Sequence, residues 1–429
     1  MSSRELILYR DFKHGDILES AQRLCDETFS DDKDAAACMN LFAGSLMELA
    51  ASHGYGGNIW QAYLTYLLAN NENAYSTACE MRGDAGGTLG AAALHDFSVF
   101  RKMFALDIAS LDRKCGTACA PLIESFAGSD EKSHMFNKRI RDRIIELRDQ
   151  LAASGSDEDF AGRVAQFYKE FGVGKFGLHK AFRVDHKEDG VVIEPITNIM
   201  HVSLEDLVGY ESAKKKLIDN TEAFVEKRPC NNCLLFGDAG TGKSSSIKGI
   251  LNRYYEKGLR MIEVYKHQFR DLNDIIAQIK NRNYRFIIYM DDLSFEDFET
   301  DYKYLKAVIE GGLEKKPDNI LIYATSNRRH IVREKFSDKE DRDNDLHTND
   351  TVQEKLSLSY RFGETIFFSR PDKKQFDTIV KTLAQRYDIT MDEEELLLEA
   401  NRWELSHGGL SGRTAQQFID HLLGLKREE

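Results

Sequence analysis

Gly237-Asp238-Ala239-Gly240-Thr241-Gly242-Lys243-Ser244 carries the groups needed to hold a chain of phosphates, and it fits G-x-x-x-x-G-K-[ST] in full. Glycines let backbone N–H groups wrap phosphate oxygens, and a helix beginning at the lysine turns its positive end toward them. Lys243 is placed to reach the β and γ phosphates, and the Ser244 hydroxyl to ligate Mg2+. Asp238, Ala239, Gly240, Thr241 and Ser245 complete the expected contact set. The flanks agree with this chemistry. Cys233-Leu234-Leu235-Phe236 reads as a buried parallel strand. Ile247, Ile250, Leu251 and Tyr254 recur at helical spacing until Gly258. Strand, glycine loop and helix together imply that a nucleoside triphosphate is bound.

Such a loop needs carboxylates beside it. Phe286-Ile287-Ile288-Tyr289-Met290 is an apolar strand ending in Asp291 and Asp292. Asp291 is expected to hold the metal, directly or through water, because Mg2+ keeps much of its hydration shell. Neighbouring strand residues alternate faces. Asp292 is therefore expected to point elsewhere and to polarise the attacking water, with Glu296 as a reserve acid. Leu321-Ile322-Tyr323-Ala324-Thr325-Ser326-Asn327-Arg328 is a further apolar strand ending in small polar residues, and the Asn327 amide at that tip is able to bond the γ phosphate and the water. Asn also ends many strands simply as a turn former. Arg361 and Arg413 follow, the second opening a helix after Gly409-Leu410-Ser411-Gly412. A guanidinium fork suits transition-state phosphate charge. Each arginine alone would read as a surface ion pair; the order of all these groups gives them meaning.

The elements that must position these residues fall into three expected segments. Residues 1–195 read as a helical domain and linker, with amphipathic runs such as Met39, Leu41, Phe42, Leu46 and Leu49. Trp60, Tyr63, Leu64, Tyr66 and Leu67 form a bulky face that suits a bundle core better than a ligand cage. Gly83 to Gly90 is glycine-rich but lacks the Lys-Ser pair, so it reads as an inter-helix loop. Val191-Val192-Ile193 suggests a short strand in the linker. Residues 196–370 alternate strands and helices, which implies a parallel sheet covered on both faces. Strands are expected at Cys233–Phe236, Met261–Val264, Phe286–Met290, Ile320–Ala324 and Thr365–Phe368. Residues 371–429 return to helices. The densely charged stretch Arg333 to Gln353 is expected to be an exposed loop.

Length and charge narrow the class. A chain of 429 residues is too long for one ordinary core. With 30% charged residues and a net charge of −13, a soluble cytoplasmic protein is expected, without a large nonspecific DNA-binding face. Lys214-Lys215-Lys216 is a small basic patch that reads as a solvated helix face. Met1 to Glu5 shows no basic stretch leading into an apolar signal core, and no uninterrupted apolar segment approaches a membrane span, so no membrane partner is expected. Seven cysteines suit reduced thiols. The pairs Cys115/Cys119 and Cys230/Cys233 lack the second ligand pair that a tetrahedral metal site requires.

From about Leu204 onward the order of motifs resembles the AAA+ ATPases. Asp-Asp-Leu-Ser-Phe-Glu, Ala-Thr-Ser-Asn-Arg-Arg-His and Leu-Ser-Tyr-Arg-Phe-Gly further resemble a bacterial branch catalogued only as a domain of unknown function. The resemblance implies an α/β fold: a P-loop parallel sheet domain with a C-terminal helical lid, here preceded by an all-helical N-terminal domain. It implies ATP and Mg2+ as cofactors. It makes Leu207-Val208-Gly209-Tyr210 the adenine-contacting segment, so that Val208 and Gly209 join Gly237 and Gly242 as binding residues. Asn327 then matches sensor 1, Arg361 an arginine finger acting on a neighbouring subunit, and Arg413 sensor 2 in the lid. A homo-oligomer with a protein or nucleic-acid client is the implied assembly.

Two departures shape the expected function. Most relatives carry Asp-Glu at the strand tip, whereas Asp291-Asp292 sets the second carboxylate further back and suits slow hydrolysis. Tyr265-Lys266-His267-Gln268-Phe269 lacks the glycine that threading unfoldases carry there, although Tyr265 or Phe269 would still be available to a polymer. An ATP-driven remodelling or assembly ATPase is the leading expectation. The alternative is a slow nucleotide-gated switch of loader or initiator type. A small-molecule kinase is disfavoured by the helical domain opening at Ser411-Gly412-Arg413.

Overall fold

The computed structural model describes residues 3–127, 136–188, 190–197, 199, 202–295, 301–310, 317–327 and 360–425. They form two compact units, Met1–His179 and Lys180–Glu429. Glu296 and the charged stretch 333–353 lie outside the described residues.

The first unit is helical throughout. Its helices are α1 (Gly15–Asp26), α2 (Asp32–His53), α3 (Ile59–Asn70), α4 (Ala74–Arg82), α5 (Gly87–Phe104), α6 (Ile108–Lys114), α7 (Ala120–Glu124), α8 (Lys138–Ala152), α9 (Asp157–Phe171) and α10 (Gly174–Leu178). Asp31, Asn58, Asn73 and Ser156 accept from first-turn N–H groups of α2, α3, α4 and α9 and so set where those helices start. Trp60 is buried, and its indole N–H donates to the Met103 carbonyl at 2.8 Å, which makes the aromatic face core. The glycine-rich stretch is loop only as far as Gly86; Gly87 to Gly90 begin α5. By length and composition α2, with a mean hydropathy of 1.2, is apolar enough to cross a membrane. The expectation of no membrane-length stretch passed over it. Here Cys38, Met39, Phe42, Leu46 and Leu49 of α2 are buried in the unit's core, and 39% of its apolar window is buried in all.

The second unit is built on one sheet. Its strands are β1 (Ala181–Lys187), β2 (Gly190–Pro195), β3 (Cys233–Gly237), β4 (Leu259–Glu263), β5 (Arg285–Met290), β6 (Ile320–Ser326) and β7 (Glu364–Phe368). The order is β2-β1-β4-β5-β6-β3-β7, with β2 antiparallel to β1 and every other pair parallel. Register decides what meets at the carboxyl edge. Phe236 pairs with Ser326 and Met290 with Ala324, so the glycine loop, the two aspartates and Asn327 leave the sheet side by side. Helices α11 (Glu211–Val225) and α12 (Lys243–Tyr254) contribute Leu217, Phe224, Ile247, Ile250 and Leu251 to the core over Cys233, Leu235, Ile287 and Tyr323. Helices α13 (Leu272–Ile279) and α14 (Tyr302–Glu310) pack against each other.

The sheet begins earlier than the sequence suggests. β1 was not expected, and the hairpin β1–β2 joins β4 rather than serving as a linker up to residue 195. Only Ala181, Phe182 and Val184 of β1 are buried, too short an apolar alternation to stand out among its charges.

Helices α15 (Lys373–Arg386), α16 (Glu393–Ser406) and α17 (Gly412–Leu425) make a three-helix lid with its own core of Phe376, Val380, Leu396, Phe418 and Ile419. Val208 packs against that core from the segment before α11.

Candidate functional site

The loop between β3 and α12 is shaped by its glycines. Gly237 has φ 138°, and a Cβ there would lie 2.0 Å from the Phe368 carbonyl oxygen, so no other residue fits. Gly240 faces the lid: a Cβ would come within 2.9 Å of Ser411 Oγ, and the Gly240 carbonyl accepts the Arg413 N–H at 3.3 Å. Thr241 closes the turn by donating to the Asp238 carbonyl at 2.8 Å. α12 begins at Lys243 and points its unpaired N–H groups into the loop.

The side chains form one connected network. Lys243 is 6% exposed, and its Nζ donates to the carbonyls of Gly237 (2.9 Å) and Asp238 (2.6 Å) and to Asn327 Oδ1 (3.1 Å). Asn327 Nδ2 donates to Asp292 Oδ1 at 2.7 Å. Ser244 Oγ donates to Asp291 Oδ1 at 2.7 Å. Burial pushes the Lys243 ammonium below its ordinary value; Asp238, Asp292 and Asp291 oppose that, and Arg413 adds to it. Burial pushes the Asp291 carboxyl up, but hydrogen bonding from Thr325, Ser244 and Tyr289 together with the Lys248 charge holds the group below its ordinary value.

These residues line a cavity of about 660 Å³. Gly240, Thr241, Gly242, Lys243 and Ser244 form its floor, Asp291, Asp292 and Asn327 one side, and Arg413 reaches in from the lid. Ala239 and Ser245 complete the loop's share of the lining. The opposite end is apolar, with Leu207, Val208 and Tyr210 facing Ile379 and Leu383 of α15. Apolar walls at one end and opposed cations and carboxylates at the other suit a ligand with a flat base and a polyphosphate. Tyr210 Oη is buried without a hydrogen-bond partner among the described residues. The Ser244 hydroxyl and the Asp291 carboxylate are the hard oxygen donors that Mg2+ takes.

Most site residues read from the sequence meet here, with four differences. Asp292 lies beyond the end of β5 with φ 50°, a left-handed turn. Face alternation stops where the strand stops, so both carboxylates line the same cavity instead of pointing apart. Gly209 lies beside a small neighbouring cleft of about 90 Å³ between Val208, Tyr210 and α15, outside the main cavity. Gly237 and Asp238 shape the loop through their backbones and do not line the cavity. Arg361 does not line the cavity of its own chain and pairs instead with Glu310 at the end of α14.

Other residues had no sequence signal. Lys214 was read as part of a solvated face. It is 8% exposed, and its Nζ donates to the Leu207 carbonyl at 2.7 Å, tethering the segment that walls the cavity. Arg386 of α15 holds the same segment from the lid through the Asp206 carbonyl at 3.2 Å. Phe269 is 1% exposed, so only Tyr265, at 49%, remains open to a partner. Thr325, inside a uniformly buried strand, contacts the strand-tip acids.

β6 stands between the strand feeding the glycine loop and the strand bearing the acids, and a helical lid supplies an arginine. That arrangement defines a P-loop fold of the AAA+ ATPase type. The chain belongs to the family described as "Protein of unknown function (DUF815)", whose model matches residues 177–426. Similar solved structures include RuvB of Thermotoga maritima, described as a Holliday junction branch migration motor, at 14% identity over 51% of this chain and 72% of that chain, with a TM-score of 0.33. A substituted form of the same protein matches at 15% identity with the same coverage and TM-score. The fold assignment rests on strand order and loop geometry, not on that likeness. No curated protein matches the chain.

Proposed function

We propose that this protein is a Mg2+-dependent ATPase that works as a homo-oligomer in the cytoplasm and couples turnover to the remodelling or assembly of a macromolecular client. The convergence of Lys243, Asn327, Asp292, Ser244 and Asp291 on one cavity carries the reading. Lys243 and the loop N–H groups would hold the phosphates, and the apolar end the base. Ser244 and Asp291 would hold Mg2+, which when bound neutralises phosphate charge. Asp292 takes the proton of the attacking water, with Asn327 fixing the carboxylate's orientation and able to bond the γ phosphate. Arg413 stabilises phosphate charge from the lid and makes the lid's angle depend on what the cavity holds.

Arg361 completes the site of a neighbouring subunit. Its absence from its own cavity supports that role, as does its pairing with Glu310, which is 41% exposed. ATPase activity per subunit should therefore rise with protein concentration and saturate. Arg361→Ala should lower the saturated rate by about 10³-fold while leaving ATP affinity within a few-fold; a wild-type rate in that variant under assembling conditions overturns the trans arrangement.

One observation favours a second reading, a slow nucleotide-gated switch. Asp292 is already engaged by Asn327, and Lys243 by loop carbonyls, so the site is satisfied within itself. ATP binding without turnover, together with ATP-dependent capture of DNA or a protein, would select it.

A further inference from the structure

We infer that Thr325 is a positioning residue that holds the Asp291 carboxylate and the Asp292 backbone amide of the ATPase site and thereby sets its response to the divalent cation. The inference rests on the reading of this cavity as a Mg2+-dependent ATPase site.

Thr325 stands on β6, two residues before Asn327, and is 1% exposed. Its Oγ1 donates to Asp291 Oδ1 at 2.6 Å and accepts the Asp292 N–H at 2.9 Å. A hydroxyl has one proton and two lone pairs, so donating to the first aspartate leaves an acceptor for the amide of the second. The Thr325 carbonyl also accepts the Leu293 N–H at 2.7 Å. One residue thus grips three consecutive residues at the point where the chain turns left-handed at Asp292. An L-residue leaves that conformation unless its surroundings hold it.

The two side-chain bonds do separate jobs. The bond to Asp291 aims the oxygen that Ser244 also contacts, and so fixes the pair of donors offered to the cation. The bond to the Asp292 amide holds the turn that brings its carboxylate back to Asn327. Threonine meets both demands within a buried strand, because its methyl group packs as valine's would while the hydroxyl does the positioning. Valine keeps the shape and loses both bonds. Serine keeps both bonds and loses the methyl.

The test uses the full chain and a fluorescent ATP analogue titrated in EDTA and at graded Mg2+, alongside kcat and KM for ATP. In Thr325→Val, affinity in EDTA should stay within about two-fold, because no phosphate contact is touched. The gain in affinity on adding Mg2+ should shrink by about ten-fold, and kcat should fall at least as far, the scale of one buried hydrogen bond to a charged group. Thr325→Ser should restore both to within about three-fold. A purely structural role would lower the melting temperature and leave the Mg2+ response of the folded protein intact, and that result overturns the inference. So does a serine variant as impaired as the valine one. If Thr325→Val does not fold, Thr325→Cys keeps the volume with a weaker donor; a wild-type Mg2+ response there also overturns it. Wild-type protein that binds no ATP with or without Mg2+ overturns the ATPase reading and this inference together. A wild type that responds to Mg2+, beside a Thr325→Val that responds equally, overturns the inference alone.

Discussion

Each unit of this protein holds aspartates by several hydrogen bonds, but the donors differ in kind. In the helical unit, Asp96 is fully buried and accepts the backbone N–H groups of Ile7 (2.8 Å), Leu8 (2.7 Å) and Tyr9 (3.1 Å). Asp112 likewise takes those of Cys119 and Ala120, both at 2.9 Å, with the Thr117 hydroxyl in addition, so backbone donors predominate here. In the sheet unit, Asp291 accepts from the hydroxyls of Ser244 and Thr325, and Asp292 from the Asn327 amide, at the wall of an open cavity. A backbone N–H cannot turn away without moving the chain, so Asp96 and Asp112 are fixed parts of the fold. The Ser244 hydroxyl and the Asn327 amide turn about one or two side-chain bonds at little cost, so the cavity's carboxylates can exchange these partners for a cation or a water while Thr325 keeps them in place. The same residue type is a rivet in one unit and a reactive group in the other, and the donor decides which.

The largest test of that contrast is Asp292→Asn. The amide keeps the shape but cannot take a proton, so ATP hydrolysis should fall by about 10²–10⁴-fold while ATP binding persists. A rate within ten-fold of wild type would place the base elsewhere. Next in size, Asp96→Ala strands the buried N–H group of Tyr9 and the part-buried ones of Ile7 and Leu8, and should destabilise the helical unit by about 2 kcal/mol. Calorimetry should show the loss, while ATP affinity measured below the transition stays unchanged; a matching loss of affinity would mean that the two kinds of aspartate are not separable. The smallest effect is read in pH. Burial lowers the Lys243 pKa, so kcat/KM, which reports the free enzyme, should fall on the alkaline side below the ordinary lysine value of 10.5. Stability should move the other way. Between the folded-state pKa and 10.5 the unfolded chain binds more protons at Lys243, so this group's contribution to folding rises with pH. An alkaline limb at or above 10.5 would show that the ammonium is not desolvated.

The legible parts of this protein were those in which local sequence carries the whole physical requirement. The loop Gly237–Ser244 and the strands around Leu235, Ile288 and Ile322 were readable because glycine conformation and continuous apolar burial are properties of a few adjacent residues. The helical character of the first unit was readable from periodicity, and Asp291, Asn327 and Arg413 from their order along the chain. The hairpin Ala181–Pro195 was harder, because its membership of the sheet depends on pairing with β4, far along the sequence. The roles of Lys214 and Thr325 carry no local mark: a lysine among lysines, and a threonine among the small polar residues that end an apolar strand, look ordinary until the fold brings Leu207 and Asp291 to them.

By itself, then, the sequence determined the P-loop type of fold, since a glycine loop between a buried strand and a helix, followed by further apolar strands with polar tips, is spelled out by adjacent residues. Only the tertiary structure decided how the two acids are shared. Face alternation sent Asp292 away from the cavity, whereas the left-handed turn at φ 50°, held by the Thr325 hydroxyl across the β5–β6 gap, returns it. That outcome rests on a hydrogen bond between residues 33 positions apart, and such a bond exists only once the strands are in register.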